Sequence, residues 1–177
     1  MIFNRIQGGS VDSIDTHKSK YYQRIFNKYR KFIKPGSLII DPFSRDCEWA
    51  DITNDINPNT KAKYNLDALE FLKGIKSNSA GLILFDPPFS DTQNERKYGT
   101  SNLYSSDSNK ISKISNEFSR ILQPGGYVIK LGYNSTKIKN LEIIETLIVN
   151  FGGSRNDVIV TVQKKCNQNL ERWSNDK

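Results

Sequence analysis

Apolar residues along this chain follow two rhythms, one helical and one of short unbroken runs. Between Lys18 and Ile33, Ile25, Phe26, Tyr29, Phe32 and Ile33 keep the i, i+1, i+4, i+7, i+8 spacing of one helix face. Lys20, Arg24, Lys28 and Lys31 lie off that stripe. Pro35-Gly36 ends the helix, and residues 37–40 read as a buried strand running into Asp41-Pro42-Phe43. A second short strand is expected over Trp49 to Thr53, ending near Asp55, and a brief segment around Tyr64 leads through Asp67 to a short helix over Ala68 to Leu72. Leu82-Ile83-Leu84-Phe85 suits a strand buried on both faces, and Asp86-Pro87-Pro88-Phe89 forbids its continuation. Residues 90–108 show no clear period and read as a long mobile loop. Ile111, Ile114, Phe118, Ile121 and Leu122 mark an amphipathic helix, Pro124-Gly125-Gly126 turns into a strand at Tyr127 to Leu131, and two closing strands are expected at Leu141 to Val149 and Asp157 to Val162.

Strands alternating with helices and then a hairpin predict an α/β fold with a mostly parallel sheet and an antiparallel strand near one edge. The 177 residues fit one domain over 1–177, enough to bury roughly 70% of the unfolded surface without staples. Within it, 1–34 forms an N-terminal segment with the basic helix, 90–108 the loop, and 164–177 a polar tail expected to fray. Cys47, Cys166 and the lone His17 argue against a zinc cluster or a disulfide framework, and for a reducing interior. With no apolar stretch near 18 residues and no signal-peptide core at the N-terminus, a soluble, unexported, cytoplasmic protein without membrane association is expected.

The formal charge of +7 suits a polyanionic partner. Richness in Asn, Lys, Ile and Ser also fits a coding bias, so the basic helix reads equally as a nucleic-acid contact and as a solvated face.

Asp86 falls where a buried strand ends, and in open α/β sheets that is where ligands bind. Asp41, Asp55 and Asp67 each end or follow an earlier apolar run. A carboxylate at the tip of the second strand, the place of Asp55, can accept from both hydroxyls of a ribose. Asp67 is placed to accept from the exocyclic amine of a cofactor's adenine, and Asp41 marks a first turn passing close to its amino-acid part. Each acid alone is more often a turn or helix cap; four in this order make a stronger case.

With these residues the chain resembles the adenine-specific DNA methyltransferases. The resemblance rests on Asp41-Pro42-Phe43, Asn54-Asp55-Ile56-Asn57-Pro58, Leu66-Asp67-Ala68-Leu69-Glu70-Phe71-Leu72, Asp86-Pro87-Pro88-Phe89 and Leu122-Gln123-Pro124-Gly125-Gly126, about residues 37–131. It is similar above all to small phage and bacterial members with Gly-aromatic-Asn-Ser after the fifth strand, here Gly132-Tyr133-Asn134-Ser135, and a later Gly-Gly segment, here Gly152-Gly153. Most relatives read Asp-Pro-Phe-x-Gly-x-Gly in the first motif, although these small members lack the usual glycines, and this chain has Ser44-Arg45-Asp46-Cys47. Arg45 there either neutralises the cofactor's carboxylate or blocks the site.

The resemblance implies a Rossmann-like class I methyltransferase with a seven-stranded sheet and S-adenosylmethionine as cofactor. Asp41, Pro42, Phe43, Ser44, Arg45, Asp55, Ile56, Asp67 and Ala68 would contact the cofactor. It also implies that the Asp86 carboxylate and the Pro87 carbonyl accept from the two hydrogens of the target amine, with Pro88 fixing their direction and Phe89 stacking on the base. No metal is required for such a transfer. A base inside a duplex is out of reach and must be flipped or single-stranded, with Arg96, Lys97, Tyr98 and Tyr104 of the loop holding it. Lys20, Arg24, Lys28 and Lys31 are the candidate phosphate contacts. The partner is then nucleic acid, DNA before RNA, with a homodimer or a partner subunit supplying specificity. Three readings stay open: an adenine-N6 DNA enzyme, an RNA-adenine or cytosine-N4 enzyme, and a non-catalytic nucleic-acid-binding subunit with a degraded cofactor site. His17 reads as an exposed histidine near a region where relatives carry a cofactor-contacting motif. Trp49 and Phe71 read as core, and Cys47 lacks the neighbouring base a nucleophile needs.

Overall fold

The structure is a computed structural model that describes residues 2–7, 16–88, 108–150 and 157–166. Its elements are β1 (Ile2–Gln7), a 3₁₀ turn (Thr16–Lys18), α1 (Lys20–Arg30), β2 (Leu38–Asp41), β3 (Ile52–Thr53), α2 (Ala68–Lys73), β4 (Ala80–Phe85), α3 (Ser108–Ile121), β5 (Leu122–Gly132), β6 (Leu141–Asn150) and β7 (Val158–Lys165). Among the described residues they form one mixed sheet in the order β1-β6-β7-β5-β4-β2-β3. β3, β2, β4 and β5 run parallel in sequence of contact, β7 is antiparallel to both β5 and β6, and β1 is parallel to β6.

The sheet is covered on both faces, which explains why β4 can be apolar throughout and buried at every position. On one face α1 lays Tyr22, Ile25, Phe26 and Tyr29 over Ile39, Leu82, Leu84, Ile129 and Leu147. On the other, α2 and α3 bury Phe71, Leu72, Ile114 and Phe118 against Ile40, Ile83, Phe85 and Val128. α1 spans only Lys20–Arg30, shorter than its apolar period, and Gly36 follows at φ 78°, a left-handed turn that only glycine adopts without strain. The returning chain then crosses β4 so closely that a Cβ on Gly81 would lie 2.7 Å from the Ser37 Cβ.

Several expectations change in the folded chain. The N-terminal segment contributes an edge strand, β1, registered against β6 from Ile2↔Glu145 to Gln7↔Asn150. This places antiparallel β7 third from that edge. The strand expected over Trp49 to Thr53 shrinks to Ile52–Thr53, and the segment at Tyr64 makes a single bridge to Asn54. α3 begins at Ser108, inside the segment read as loop, and β5 begins at Leu122, carrying Pro124-Gly125-Gly126 as an irregularity between Ala80↔Leu122 and Leu82↔Tyr127. β7 continues through Lys165, so the tail starts later than expected. Among the described residues no helix is long and apolar enough to cross a membrane.

Candidate functional site

β2 has β3 on one side and β4 on the other, so the chain's direction of travel across the sheet reverses at β2. The carboxyl ends of parallel strands at such a reversal form a natural crevice. Asp41 ends β2, Asp55 follows β3 and Asp86 follows β4, so the three acids stand at one rim.

The first turn is held by hydrogen bonds. Asp41 is buried, and its Oδ1 accepts from the Phe43 N–H at 3.0 Å. Burial lifts its carboxyl from 3.8 to about 8; the Phe43 N–H opposes this, and the negative fields of Asp86 and Asp55 add to it. Asn54, fully buried, donates to the Pro42 and Leu66 carbonyls at 3.2 and 3.0 Å and accepts from the Leu66 N–H at 3.0 Å. Asp55 accepts from the backbone N–H groups of Arg45 and Asn57 at 3.1 and 2.9 Å, one on each oxygen. Ser44 is buried, with its N–H on the Asn54 carbonyl at 2.9 Å, and Ile56 is half-buried beyond it.

Arg45, in the turn after Phe43, sits at φ 48°. The backbone therefore keeps a left-handed, glycine-like turn without glycine, at a cost of about 1–2 kcal/mol for an L-residue. Cys47 is buried beside it; burial, ahead of the fields of Asp41 and Asp86, pushes its thiol up to about 12 and leaves it unreactive.

Asp67 caps α2, accepting from the Leu69 N–H at 2.9 Å, and pairs with Lys110 of α3 at 2.7 Å. Ala68 is buried in the core behind it. Asp67 is thus tied to helix structure, in a different setting from the Asp41–Asp55 pair.

At the corner after β4, Asp86 is half-buried while Pro87 and Pro88 are buried; Phe89 lies outside the described residues. A chain of aromatic contacts fixes this corner against the first turn: Phe43 to Phe85 at 5.8 Å and Phe85 to Phe118 at 4.8 Å between ring centroids. From the other face α1 brings Tyr22, whose hydroxyl burial raises well above its usual range, with Asp41 and Asp86 next in effect. Tyr22 and Phe26 pack on Trp49 at 5.5 and 4.7 Å, and His17 meets the Trp49 edge at 6.3 Å. His17 is half-buried in this cluster instead of exposed, while Phe71 is core as expected.

Between the ends of β4 and β5 opens a cavity of about 700 Å³, bordered by Phe85, Pro87, Pro88, Lys130, Tyr133 and Asn134. Lys130 is paired in register with Phe85, and its ammonium donates to Asn134 Oδ1 at 2.8 Å. Burial lowers its pKa. Asn54, Tyr22 and Lys130 are site residues that the sequence reading missed. A lysine interrupting the run Tyr-Val-Ile-Lys-Leu was the available signal for Lys130; nothing local marked Asn54 or Tyr22.

Of the candidate phosphate contacts, Lys28 is engaged at 2.6 Å by the buried Glu145, which also accepts from the Tyr29 hydroxyl at 2.6 Å. Lys20 lies over the Tyr21 ring at 5.3 Å, Arg24 is exposed on α1 and Lys31 is exposed at its C-cap. Arg96, Lys97, Tyr98 and Tyr104 lie outside the described residues. Among the described residues no group of three or more His, Cys, Asp or Glu side chains is placed to hold a metal ion.

No protein-family model matches the chain, and no curated protein sequence does. Solved structures do. A protein of Escherichia coli described as a "putative methyltransferase" is 13% identical over 90% of this chain and 88% of its own, with a TM-score of 0.51. A "putative methylase" of Haemophilus influenzae is 12% identical over 83% of this chain and 97% of its own, also at 0.51. At these identities the likeness is one of fold: the chain shares the α/β architecture of those proteins.

Proposed function

We propose that the protein is an S-adenosylmethionine-dependent methyltransferase acting on an exocyclic amino group of a nucleic-acid base, foremost adenine N6 in DNA. The observation that carries this reading is the placement of Asp86-Pro87-Pro88 at the carboxyl end of buried β4, at the rim that also holds Asp41 and Asp55. The fold shared with the two methyltransferase-like structures supports it.

The residues of the first turn fit the cofactor. Asp55, just past the end of β3, is held by the backbone N–H groups of Arg45 and Asn57 at the place where a carboxylate meets the hydroxyls of a ribose. Asp41, desolvated and facing the fields of two other carboxylates, is stabilised in its ionised form by a ligand carrying positive charge. S-adenosylmethionine, with its ammonium and sulfonium, is such a ligand, and when bound it supplies an electrophilic methyl group. The left-handed backbone at Arg45 favours a working turn over a degraded one, because it keeps the conformation that glycines serve in the family.

An adenine amine is a weak nucleophile, since its lone pair is delocalised into the ring. In this reading the Asp86 carboxylate and the Pro87 carbonyl accept from its two hydrogens and draw the nitrogen toward tetrahedral geometry. The prolines hold both acceptors in direction, so positioning and fixed dipoles carry most of the rate. The nitrogen's surplus proton leaves toward Asp86 or water after transfer. A single domain and a nucleic-acid partner belong to this same proposal, as does a homodimer or partner subunit that would supply sequence specificity.

Incubation of labelled cofactor with mixed DNA and RNA, followed by nucleoside analysis, tests polymer, base and atom together. N6-methyladenine in DNA is expected. The Asp86→Ala variant should lose methyl transfer by at least about a thousandfold with cofactor affinity little changed; retention of most activity overturns the assignment.

A further inference from the structure

The cavity beside the Pro87-Pro88 corner does not end there. A second cavity, of about 840 Å³, runs from Asn116, Lys137 and Lys139, which border both, to Lys165 at the end of β7. Together they make one groove between the outer side of α3 and the connection 133–140. Resting on the reading above that the substrate is a nucleic acid, we propose that the strand carrying the target base runs along this groove, away from the basic face of α1.

The chemistry of the groove suits a phosphate backbone with unstacked bases. Lys137 and Lys139 are exposed on its wall, and among the described residues neither makes an ion pair. Lys130 at the catalytic end is bonded to Asn134 and to the Thr136 carbonyl, neutral oxygens that leave its charge uncompensated. Lys165 at the far end donates to the Leu122 carbonyl at 2.7 Å and is likewise desolvated. Arg120 is neutralised by Glu117 at 2.6 Å, and Glu142 is the opposing acid at the far end. The floor contributed by α3 is Ser112, Ser115, Asn116 and Ser119, short donors suited to phosphate and sugar oxygens. Tyr133, 44% exposed at the mouth, offers a stacking platform beside the corner where the base must react. Cations tracking a backbone with an aromatic ring beside them is the arrangement by which single strands are bound.

The face of α1 is a poorer path. The helix packs on the opposite side of the sheet, and Lys28, in its last turn, is paired with Glu145.

Binding of a fluorescein-labelled single-stranded oligonucleotide to the full-length protein, read by anisotropy across a salt series, decides between them. Lys137→Gln with Lys139→Gln should weaken binding about tenfold at low salt and reduce the slope of log affinity against log salt by roughly 1.4, for two contacts on a single strand. Tyr133→Ala should weaken binding without changing that slope. Lys20→Gln with Arg24→Gln should stay within twofold. All these side chains are exposed, and unchanged melting temperatures confirm that each variant folds. The groove is overturned if its lysine pair binds like the parent, or if the α1 pair takes the loss. A parent that binds the strand but methylates nothing defeats the proposed function and leaves the groove standing. A parent that binds no strand at low salt defeats the groove, while methylation of a free nucleoside by that parent would keep the chemistry.

Discussion

The first turn and the Asp-Pro-Pro corner are built from different backbone. Around the turn, Asp41 and Asp55 are fixed by backbone N–H groups, and the loops that carry those groups are clamped by Asn54. At the corner, Asp86 is directed by the two prolines after it and by the aromatic packing of Phe85 before it. A hydrogen-bonded cradle is cooperative, so one lost partner loosens the rest. A corner stiffened by proline rings loses little structure when one side chain is removed. The cofactor side of the site should therefore be sensitive in stability and the target side sensitive in activity.

Asn54→Ala is the most severe test of that contrast. It strips a partner from the Pro42 carbonyl in a buried setting and from the Leu66 carbonyl and N–H in a part-buried one. With each orphaned group worth about 1–3 kcal/mol, a loss of roughly 3 kcal/mol or more is expected in chemical denaturation. Asp86→Ala, on the other side, should melt within a few degrees of the parent. Equal destabilisation by the two changes would erase the distinction.

Asp41 sharpens the contrast through pH. Its carboxyl titrates at about 8 in the fold and near 3.8 when unfolded, so the folded chain holds a proton that the unfolded chain releases between those values. Its contribution to stability is accordingly full below about pH 4 and declines as pH rises toward 8. Asp41→Asn keeps an oxygen for the Phe43 N–H and has no proton to lose. The melting temperature of the variant relative to the parent should climb steadily from pH 5 to pH 8; a constant difference would mean that Asp41 is ionised throughout. A positively charged ligand beside it should conversely release a proton on binding, seen as a buffer-dependent binding enthalpy near pH 7.

These two halves of the site were unequally legible in the sequence. The apolar runs at β2 and β4 and the helical periods of α1 and α3 reported their elements because burial on both sheet faces leaves little choice of residue. β1 was hidden: Ile-Phe-Asn-Arg-Ile-Gln has no period of two, and the strand exists through long-range pairing with β6. β3 is short, and just past it Asn54 bonds the Asp41 carbonyl through its backbone N–H and Pro42 and Leu66 through its side chain. The corner was legible because Asp-Pro-Pro is a covalent statement about backbone, whereas the role of Asn54 depends on two loops meeting. Asp67, placed by the order of acids, caps α2 through the Leu69 N–H.

Arg45 yields the smallest expected effect and the finest division of the first turn. At φ 48° the residue bears a backbone cost of about 1–2 kcal/mol that glycine would avoid, offset by roughly 0.5–1 kcal/mol of extra chain entropy that glycine restores to the unfolded state. Through the backbone alone, Arg45→Gly should leave stability unchanged or raise it by up to about 1 kcal/mol, since the N–H that Asp55 accepts from is kept. If the guanidinium neutralises the cofactor's carboxylate, S-adenosylmethionine affinity measured by calorimetry should fall several-fold in the same variant, and Arg45→Lys should restore part of it. Tighter binding by the glycine variant would identify Arg45 as an obstruction. A clear loss of stability would place the side chain among the supports of the turn, and the hydrogen-bonded half of the site would then extend one residue further than the backbone pattern indicates.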